Sequence, residues 1–217
     1  MGYDEDIMAK GQEIIPYEEV FRALNAAKIN YLVCGGAAVV MLGFSRLTID
    51  LDLIVGLQKE NLEKLYGVLA KLGYKTSAPI AKNDFCDKAK LQRLAEEKNM
   101  KVVSFYHPKD PFKVIDIGVN LPDIDQILKN KKNIQVDDLP IPTIFIKDLI
   151  KMKEDLARPK DLIDAQNLKE IQKYEKRKRR NDWPTFIAYR QKHHAVWADG
   201  LVEEKYWFFQ KNASRKT

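Results

Sequence analysis

Residues 35–55 read GGAAVVMLGFSRLTIDLDLIV, and this stretch decides the predicted fold. It begins with Gly35-Gly36, directly after the apolar segment 30–34, which predicts a short buried strand. Residues 37–44 predict a short helix. The segment 48–55 alternates with period two, which is typical of a strand with one wet and one buried face. Strand, glycine turn, helix and strand therefore follow one another within about 25 residues.

Two carboxylates lie on the same face of the second predicted strand. Asp50 and Asp52 point one way, while Ile49, Leu51, Leu53 and Val55 point the other. On a surface strand, two such acids could simply keep one face hydrated and have no further role. In flanks as apolar as these, however, the acids would repel each other and be partly desolvated. A divalent cation with oxygen ligands, Mg²⁺ above all, would offset that cost.

A third carboxylate stands in another apolar segment. Asp116 lies within VIDIGV, residues 114–119, and its neighbours Ile115 and Ile117 point to the opposite face. If this strand lies beside segment 48–55, three acids converge. Three such acids can hold two Mg²⁺ ions, with Mn²⁺ as a substitute, for phosphoryl transfer.

The remaining pattern predicts an α+β protein with a mixed central sheet. Helices are expected at 17–28, 60–72, 87–98, 143–157 and 160–174, and the strands 101–106 and 112–119 predict a hairpin. From Trp183 onward the pattern is helical and rich in aromatic residues. We therefore predict a core over residues 1–142 and a C-terminal helical subdomain over residues 143–217.

Composition limits the class of protein. The chain has 217 residues, 45% of them hydrophobic, which is enough for a core and excludes a disordered chain. No apolar run approaches the roughly 18 residues of a membrane helix, and two cysteines fit a reducing cytoplasm. Residues 169–217 carry 13 Lys and Arg against 6 Asp and Glu, while the rest carry 24 against 25. This basic segment fits either a solvated helix surface or a contact with a phosphate backbone.

The order Gly35-Gly36, 13 residues, Asp50-Leu51-Asp52 and a later strand with Asp116 resembles the nucleotidyltransferase superfamily of DNA polymerase beta. The whole stretch of residues 35–55, with Arg46 and Thr48 leading into the acids, is similar to the bacterial AbiEii-like branch, which includes toxins of type IV toxin–antitoxin systems. The segment 149–168, LIKMKEDLARPKDLIDAQNL, resembles the same branch. The resemblance covers about residues 17–172 and leaves 173–217 without a motif.

The resemblance implies a role for each matching position. Asp50, Asp52 and Asp116 would bind two Mg²⁺ ions, and Asp116 would also draw the proton from the acceptor. Gly35 and Gly36 would hold the triphosphate. The further residues expected to contact the nucleotide are Arg46, Thr48, Lys153 and Lys160. For Arg46 and Thr48, strand packing and turn formation are equally open.

One of these positions has independent support in the sequence. Lys153 sits inside an apolar stripe at helical spacing, so it either extends to solvent or meets an acidic or phosphate partner. After Pro159, Asp161 and Asp164 could equally cap the following helix.

The implied activity is that of a Mg²⁺-dependent nucleotidyltransferase, which moves an NMP from an NTP to a hydroxyl and releases pyrophosphate. RNA, such as a tRNA 3′ end, is the preferred acceptor because of the basic C-terminal segment. A small molecule or a protein hydroxyl is the alternative. A cognate antitoxin is the expected partner of a toxin, and a non-catalytic nucleotide- or RNA-binding relative is the competing hypothesis.

Overall fold

A computed structural model describes residues 17–77 and 79–178 of the chain. The fold is α+β, as predicted, and its strands and helices have the following bounds. They are α1 Glu18–Ala26, β1 Tyr31–Val33, α2 Gly35–Met41, β2 Leu51–Val55, α3 Lys59–Lys71, β3 Lys75–Thr76, α4 Lys82–Phe85, α5 Lys88–Glu97, β4 Val102–His107, β5 Asp110–Gly118, α6 Ile124–Lys129, β6 Lys132–Val136, β7 Leu139–Thr143, α7 Ile146–Leu156 and α8 Pro159–Lys178.

The chain divides into two compact units. Among the described residues, the first comprises 17–37 together with 47–77 and 79–130, and the second comprises 38–46 together with 131–178. The predicted division into a core over residues 1–142 and a helical subdomain over residues 143–217 stays a prediction. The aromatic-rich segment from Trp183, predicted as helical, lies outside the described residues.

The first unit contains five strands in the order β3-β4-β5-β2-β1. β2 runs parallel to β5, and the other neighbouring pairs are antiparallel, so the sheet is mixed as predicted. One face of these strands is almost completely excluded from solvent. Its side chains are Leu51, Leu53, Val103, Phe105, Ile115 and Ile117. Helices α1 and α3 add further buried apolar residues, which together form the core of this unit.

The parallel pairing of β2 and β5 places the acids. Its register sets Leu51 opposite Ile115 and Asp52 opposite Asp116. Because side chains alternate along a strand, burying the two apolar residues turns both acids to the other face. The burial pattern of two short segments therefore decides that Asp52 and Asp116 are neighbours.

The second unit contains the hairpin β6–β7 and the packed helices α7 and α8. Helix α7 ends at Leu156, and the next residue, Ala157, has a left-handed φ of 51°. Helix α8 begins at Pro159, where a missing amide proton costs nothing. No helix in the described part of the chain has the length and apolar character needed to cross a membrane.

Two sequence predictions need correction. Strand β2 begins at Leu51 rather than at Thr48, and Ile49 is 50% exposed instead of continuing the buried row. The helix predicted at 143–157 begins at Ile146, because residues up to Thr143 form β7.

The hairpin β6–β7 and the short helix α6 were not predicted. Strand β7 contains Pro140 and Pro142, which lack the backbone N–H that a strand donates. Prolines argue against a strand in a sequence, so this one was not predicted.

Candidate active site

The structure brings the three predicted acids together in the first unit. Asp52 lies on β2, Asp116 lies beside it on β5, and Asp50 immediately precedes β2. One carboxylate oxygen of each residue lies within 4.8 Å of those of the other two. Three acids at this separation repel one another when charged, and a bound cation would offset that repulsion.

The three carboxylates differ in their surroundings. Asp50 is exposed and accepts a hydrogen bond from Thr48 Oγ1 at 3.1 Å, whereas Asp52 and Asp116 are half-buried. The Oδ1 atom of Asp116 is buried and has no hydrogen-bond partner among the described residues. A buried carboxylate oxygen without a partner is costly, which makes this atom a candidate metal ligand.

Gly35 lies directly against the Asp52 carboxylate. Its φ is +60°, and a Cβ placed there would fall 1.7 Å from Asp52 Oδ2. Only glycine fits, because any side chain would displace the acid. The backbone of the same turn holds Asp52: the amide of Gly36 donates to Oδ2 at 3.4 Å, and that of Cys34 donates to the Asp52 carbonyl at 2.9 Å. The predicted contact of Gly35 and Gly36 with a triphosphate stays a prediction.

Tyr17 is a residue of this region that sequence reasoning missed. Its hydroxyl lies 2.7 Å from the carbonyl oxygen of Ile49, and the amide of Val114 donates to it at 3.1 Å. Burial raises the pKa of Tyr17, as does the charge of Asp50, against the lowering effect of the Val114 hydrogen bond. The hydroxyl therefore keeps its proton at neutral pH. These contacts join residues 32 and 97 positions apart in the sequence, so no local sequence pattern predicts them.

The residues present fit a hard divalent cation. Three carboxylates from two neighbouring backbone segments offer only oxygen ligands, the donor set that Mg²⁺ and Mn²⁺ prefer. A bound cation would also give the buried Oδ1 atom of Asp116 the partner that it lacks among the described residues. Asp50, Asp52 and Asp116 would hold the ion.

The second unit contains a different cluster of charges. Lys153 is buried on α7, and its Nζ lies 2.9 Å from both Asp161 Oδ1 and Asp164 Oδ2 on α8. Arg46 Nη1 lies 2.6 Å from Asp164 Oδ2, and Arg158 forms an ion pair with Asp161. Three cationic side chains thus surround two carboxylates that are almost completely buried.

These contacts show the surroundings of several residues that the sequence predicts to bind nucleotide. Of the two alternatives for Lys153, the structure shows an acidic partner, not a side chain extended to solvent. Lys160 is exposed at the start of α8. Burial alone would raise the pKa of Asp161, but hydrogen bonds from Arg158 and Lys153 outweigh it and hold the pKa below its usual value. Asp161 therefore remains an anionic partner of the cations.

A cavity of about 400 Å³ lies elsewhere in the first unit. Leu57, Lys88, Leu121, Asp123 and Lys129 are among the residues that line it, and none of the three clustered acids does. Apolar, acidic and basic side chains are mixed around this cavity and form no recognisable catalytic or metal-binding set. The acid cluster is therefore the stronger candidate site.

Comparison with known proteins gives distant structural similarities only. No protein-family model and no curated protein matches the chain. It is similar to the lincosamide antibiotic adenylyltransferase LnuA with lincomycin bound, at 17% identity and a TM-score of 0.49, over 70% of this chain and 94% of that one. An antigenic nucleotidyltransferase-like protein from Paracoccidioides brasiliensis has 14% identity and a TM-score of 0.46, over 70% and 72%. ANT(2")-Ia in complex with adenylyl-2"-tobramycin has 13% identity and a TM-score of 0.43, over 69% and 83%. These similarities are too distant to assign a function, which rests on the residues of the chain itself.

Proposed function

We propose that this protein is a divalent-cation-dependent nucleotidyltransferase that moves an NMP from an NTP to a hydroxyl acceptor. The observation that carries the proposal is the convergence of Asp50, Asp52 and Asp116, with ligand oxygens within 4.8 Å and a partnerless buried oxygen on Asp116. The order of these acids after Gly35-Gly36 resembles the polymerase-beta-like superfamily, whose chemistry needs such a cluster.

The proposed reaction balances as a phosphoryl substitution. The acceptor oxygen bonds to the α-phosphorus, the bond to the oxygen bridging α and β breaks, and pyrophosphate leaves. Asp116 takes the proton of the acceptor hydroxyl. Bound Mg²⁺ would supply stabilisation of the negative charge that develops on the phosphate. Asp50, Asp52 and Asp116 would hold the two Mg²⁺ ions of the proposed site, and Gly35 keeps Asp52 in place because its missing side chain leaves room for the carboxylate.

We infer further that the triphosphate contacts Gly35 and Gly36. The nucleotide contacts of Arg46, Thr48, Lys153 and Lys160 are likewise proposals drawn from the resemblance. Lys153 would have to leave two buried carboxylates to reach a phosphate, whereas exposed Lys160 would leave none.

RNA, such as a tRNA 3′ end, is our preferred acceptor, because the excess positive charge of the chain lies in residues 169–217. The segments RLTIDLD and ARPKDLID support a place in the AbiEii-like branch, with a toxin role, a cognate antitoxin and a cytoplasmic location as the accompanying proposals. An antibiotic-like small molecule or a protein is the alternative acceptor. A non-catalytic nucleotide-binding role is the alternative function.

The test is transfer of label from each of four α-³²P-labelled NTPs in the presence of Mg²⁺ and total cellular RNA. The Asp50→Ala/Asp52→Ala variant is expected to lose all transfer. Glu96→Ala/Glu97→Ala is the matched control, since it removes two exposed acids of the same unit from α5. Label in RNA supports RNA as the acceptor. Label in protein or in a small-molecule extract would show that the acceptor is a protein or a small molecule instead. Wild-type protein that binds NTP yet releases no pyrophosphate would contradict the enzyme and favour the non-catalytic alternative.

A further inference from the structure

The segment that delivers Asp50 to the acid cluster lies outside the strand ladder. The paired register of β2 and β5 starts at Leu51 opposite Ile115, and Thr48–Asp50 precede it. Ile49 is 50% exposed, so apolar burial does little to fix this segment. The position of Asp50 relative to Asp116 therefore depends on contacts other than regular strand pairing.

The Tyr17 hydroxyl supplies such a contact on both sides. It lies 2.7 Å from the carbonyl oxygen of Ile49, the residue before Asp50. It also accepts from the Val114 amide at 3.1 Å, two residues before Asp116, and lies 3.0 Å from the Val114 carbonyl oxygen. The Phe112 carbonyl oxygen lies 3.2 Å away. With one proton, the hydroxyl can donate to one of these three carbonyls at a time, and the Ile49 carbonyl is the closest. A single hydroxyl thus bridges the backbone on which Asp50 stands to the backbone on which Asp116 stands.

The ring of Tyr17 is firmly anchored. Tyr17 is 8% exposed and precedes α1, whose residues Val20, Phe21 and Leu24 are completely or almost completely buried. Its carbonyl accepts from the amide of Phe21 at 3.0 Å, the first hydrogen bond of the helix. Its φ of 62° is left-handed, a conformation that a bulky residue adopts at a cost of about 1–2 kcal/mol. The buried surroundings of Tyr17 hold this strained backbone in place.

We propose that Tyr17 is a positioning residue of the metal site, whose hydroxyl sets the separation of Asp50 and Asp116. The role rests on the proposed function, because it assumes that these acids bind a divalent cation. Tyr17 itself touches neither the ion nor the substrate in this role. It acts through the Ile49 carbonyl and the Val114 backbone.

The test compares Tyr17→Phe with Tyr31→Phe. Tyr31 is a matched control, because it is a completely buried tyrosine of the same unit whose hydroxyl donates to Asn25 at 2.9 Å. Each variant keeps its ring and loses one hydroxyl. For each protein, Mn²⁺ affinity is measured by electron paramagnetic resonance, the Mn²⁺ dependence of pyrophosphate release from NTP is measured beside it, and the Tm is recorded.

We expect Tyr17→Phe to weaken Mn²⁺ binding about tenfold, the lower end of the effect of residues that orient metal ligands. Pyrophosphate release should need a correspondingly higher Mn²⁺ concentration and recover at saturation. Tyr31→Phe should lower the Tm while Mn²⁺ affinity stays at the wild-type value. A Tyr17→Phe protein with lowered Tm and wild-type Mn²⁺ affinity would overturn the positioning role. Wild-type protein that binds Mn²⁺ but releases no pyrophosphate would overturn the proposed function alone, since Mn²⁺ affinity still decides the role of Tyr17.

Discussion

Asp161 and Asp164 of the second unit and the acid cluster of the first unit solve the same electrostatic problem differently. The first pair is almost completely buried, and Lys153, Arg46 and Arg158 neutralise it within ion-pair distance. In the first unit three carboxylates share a small volume, and Asp116 keeps a buried oxygen without a hydrogen-bond partner among the described residues.

The difference indicates two kinds of role. A carboxylate whose oxygens are already matched by fixed cations contributes to the fold, and removing its partner leaves an uncompensated charge. A carboxylate with an unmatched buried oxygen contributes less to the stability of the metal-free protein and keeps capacity for a ligand. Substitutions in the two regions should therefore move stability in opposite directions.

The largest expected effect is on activity, for Asp116→Asn. We expect nucleotidyl transfer to fall about a thousandfold or more, because a metal ligand and the proton acceptor are lost together. The same change should raise the Tm of the metal-free protein, since it removes repulsion and adds an amide donor beside Asp52. Pyrophosphate release and thermal unfolding in EDTA measure the two effects.

Asp164→Asn is the corresponding change in the second unit. It should lower the Tm, because Arg46 and Lys153 lose a shared anionic partner. If Asp116→Asn and Asp164→Asn both lowered the Tm in EDTA by similar amounts, the contrast between the two regions would be wrong.

The next effect is on stability, for Lys153→Met. Methionine can fill the apolar stripe, but Asp161 and Asp164 lose a buried cation, so we expect a loss of about 3–5 kcal/mol in the free energy of unfolding. Urea denaturation followed by circular dichroism measures it. Lys151→Met on the exposed side of the same helix is the control and should change stability little. A Lys153→Met protein of wild-type stability with a raised KM for NTP would instead favour the predicted phosphate contact.

A smaller effect is expected for Gly35→Ala. The left-handed φ costs about 1–2 kcal/mol for any side chain, and the Cβ would collide with the Asp52 carboxylate. Metal-dependent activity should therefore fall more than stability does. Gly43→Ala is the matched control, because Gly43 also has a positive φ but nothing lies within 4 Å of its Cβ position. Equal activity in the two variants would mean that the close approach of Gly35 to Asp52 does not contribute to activity.

The acid cluster was predictable because strand alternation and strand pairing are local patterns. The apolar flanks of Asp52 and Asp116 fixed the face on which each lies, and the parallel register then set them side by side. The start of β2 was not predictable. Tyr17, 32 residues before Ile49, binds the carbonyl that precedes Asp50 at a point where the β2–β5 ladder has not begun.

The charge cluster of the second unit was only half predictable. The apolar stripe around Lys153 indicated that this lysine needs a partner. The carboxylates that contact it in the structure depend on the turn at Ala157 and Pro159, which brings Asp161 and Asp164 back to α7. Arg46 joins Asp164 across 118 residues, a separation at which sequence pattern carries no information.

The smallest expected effect is a pH dependence of stability that the second unit should show. Hydrogen bonds from Arg158 and Lys153 hold the pKa of Asp161 below its usual value, despite the opposing effect of burial. The stabilisation from this carboxylate is therefore fully present above the ordinary Asp pKa of about 3.9 and is lost as pH falls through the lower pKa of the folded state. The difference in unfolding free energy between wild-type protein and Asp161→Asn, measured by urea denaturation, should be constant near neutrality and shrink below about pH 4. A difference that stays the same across the acidic range would show that Asp161 is not held in its charged form by these two cations.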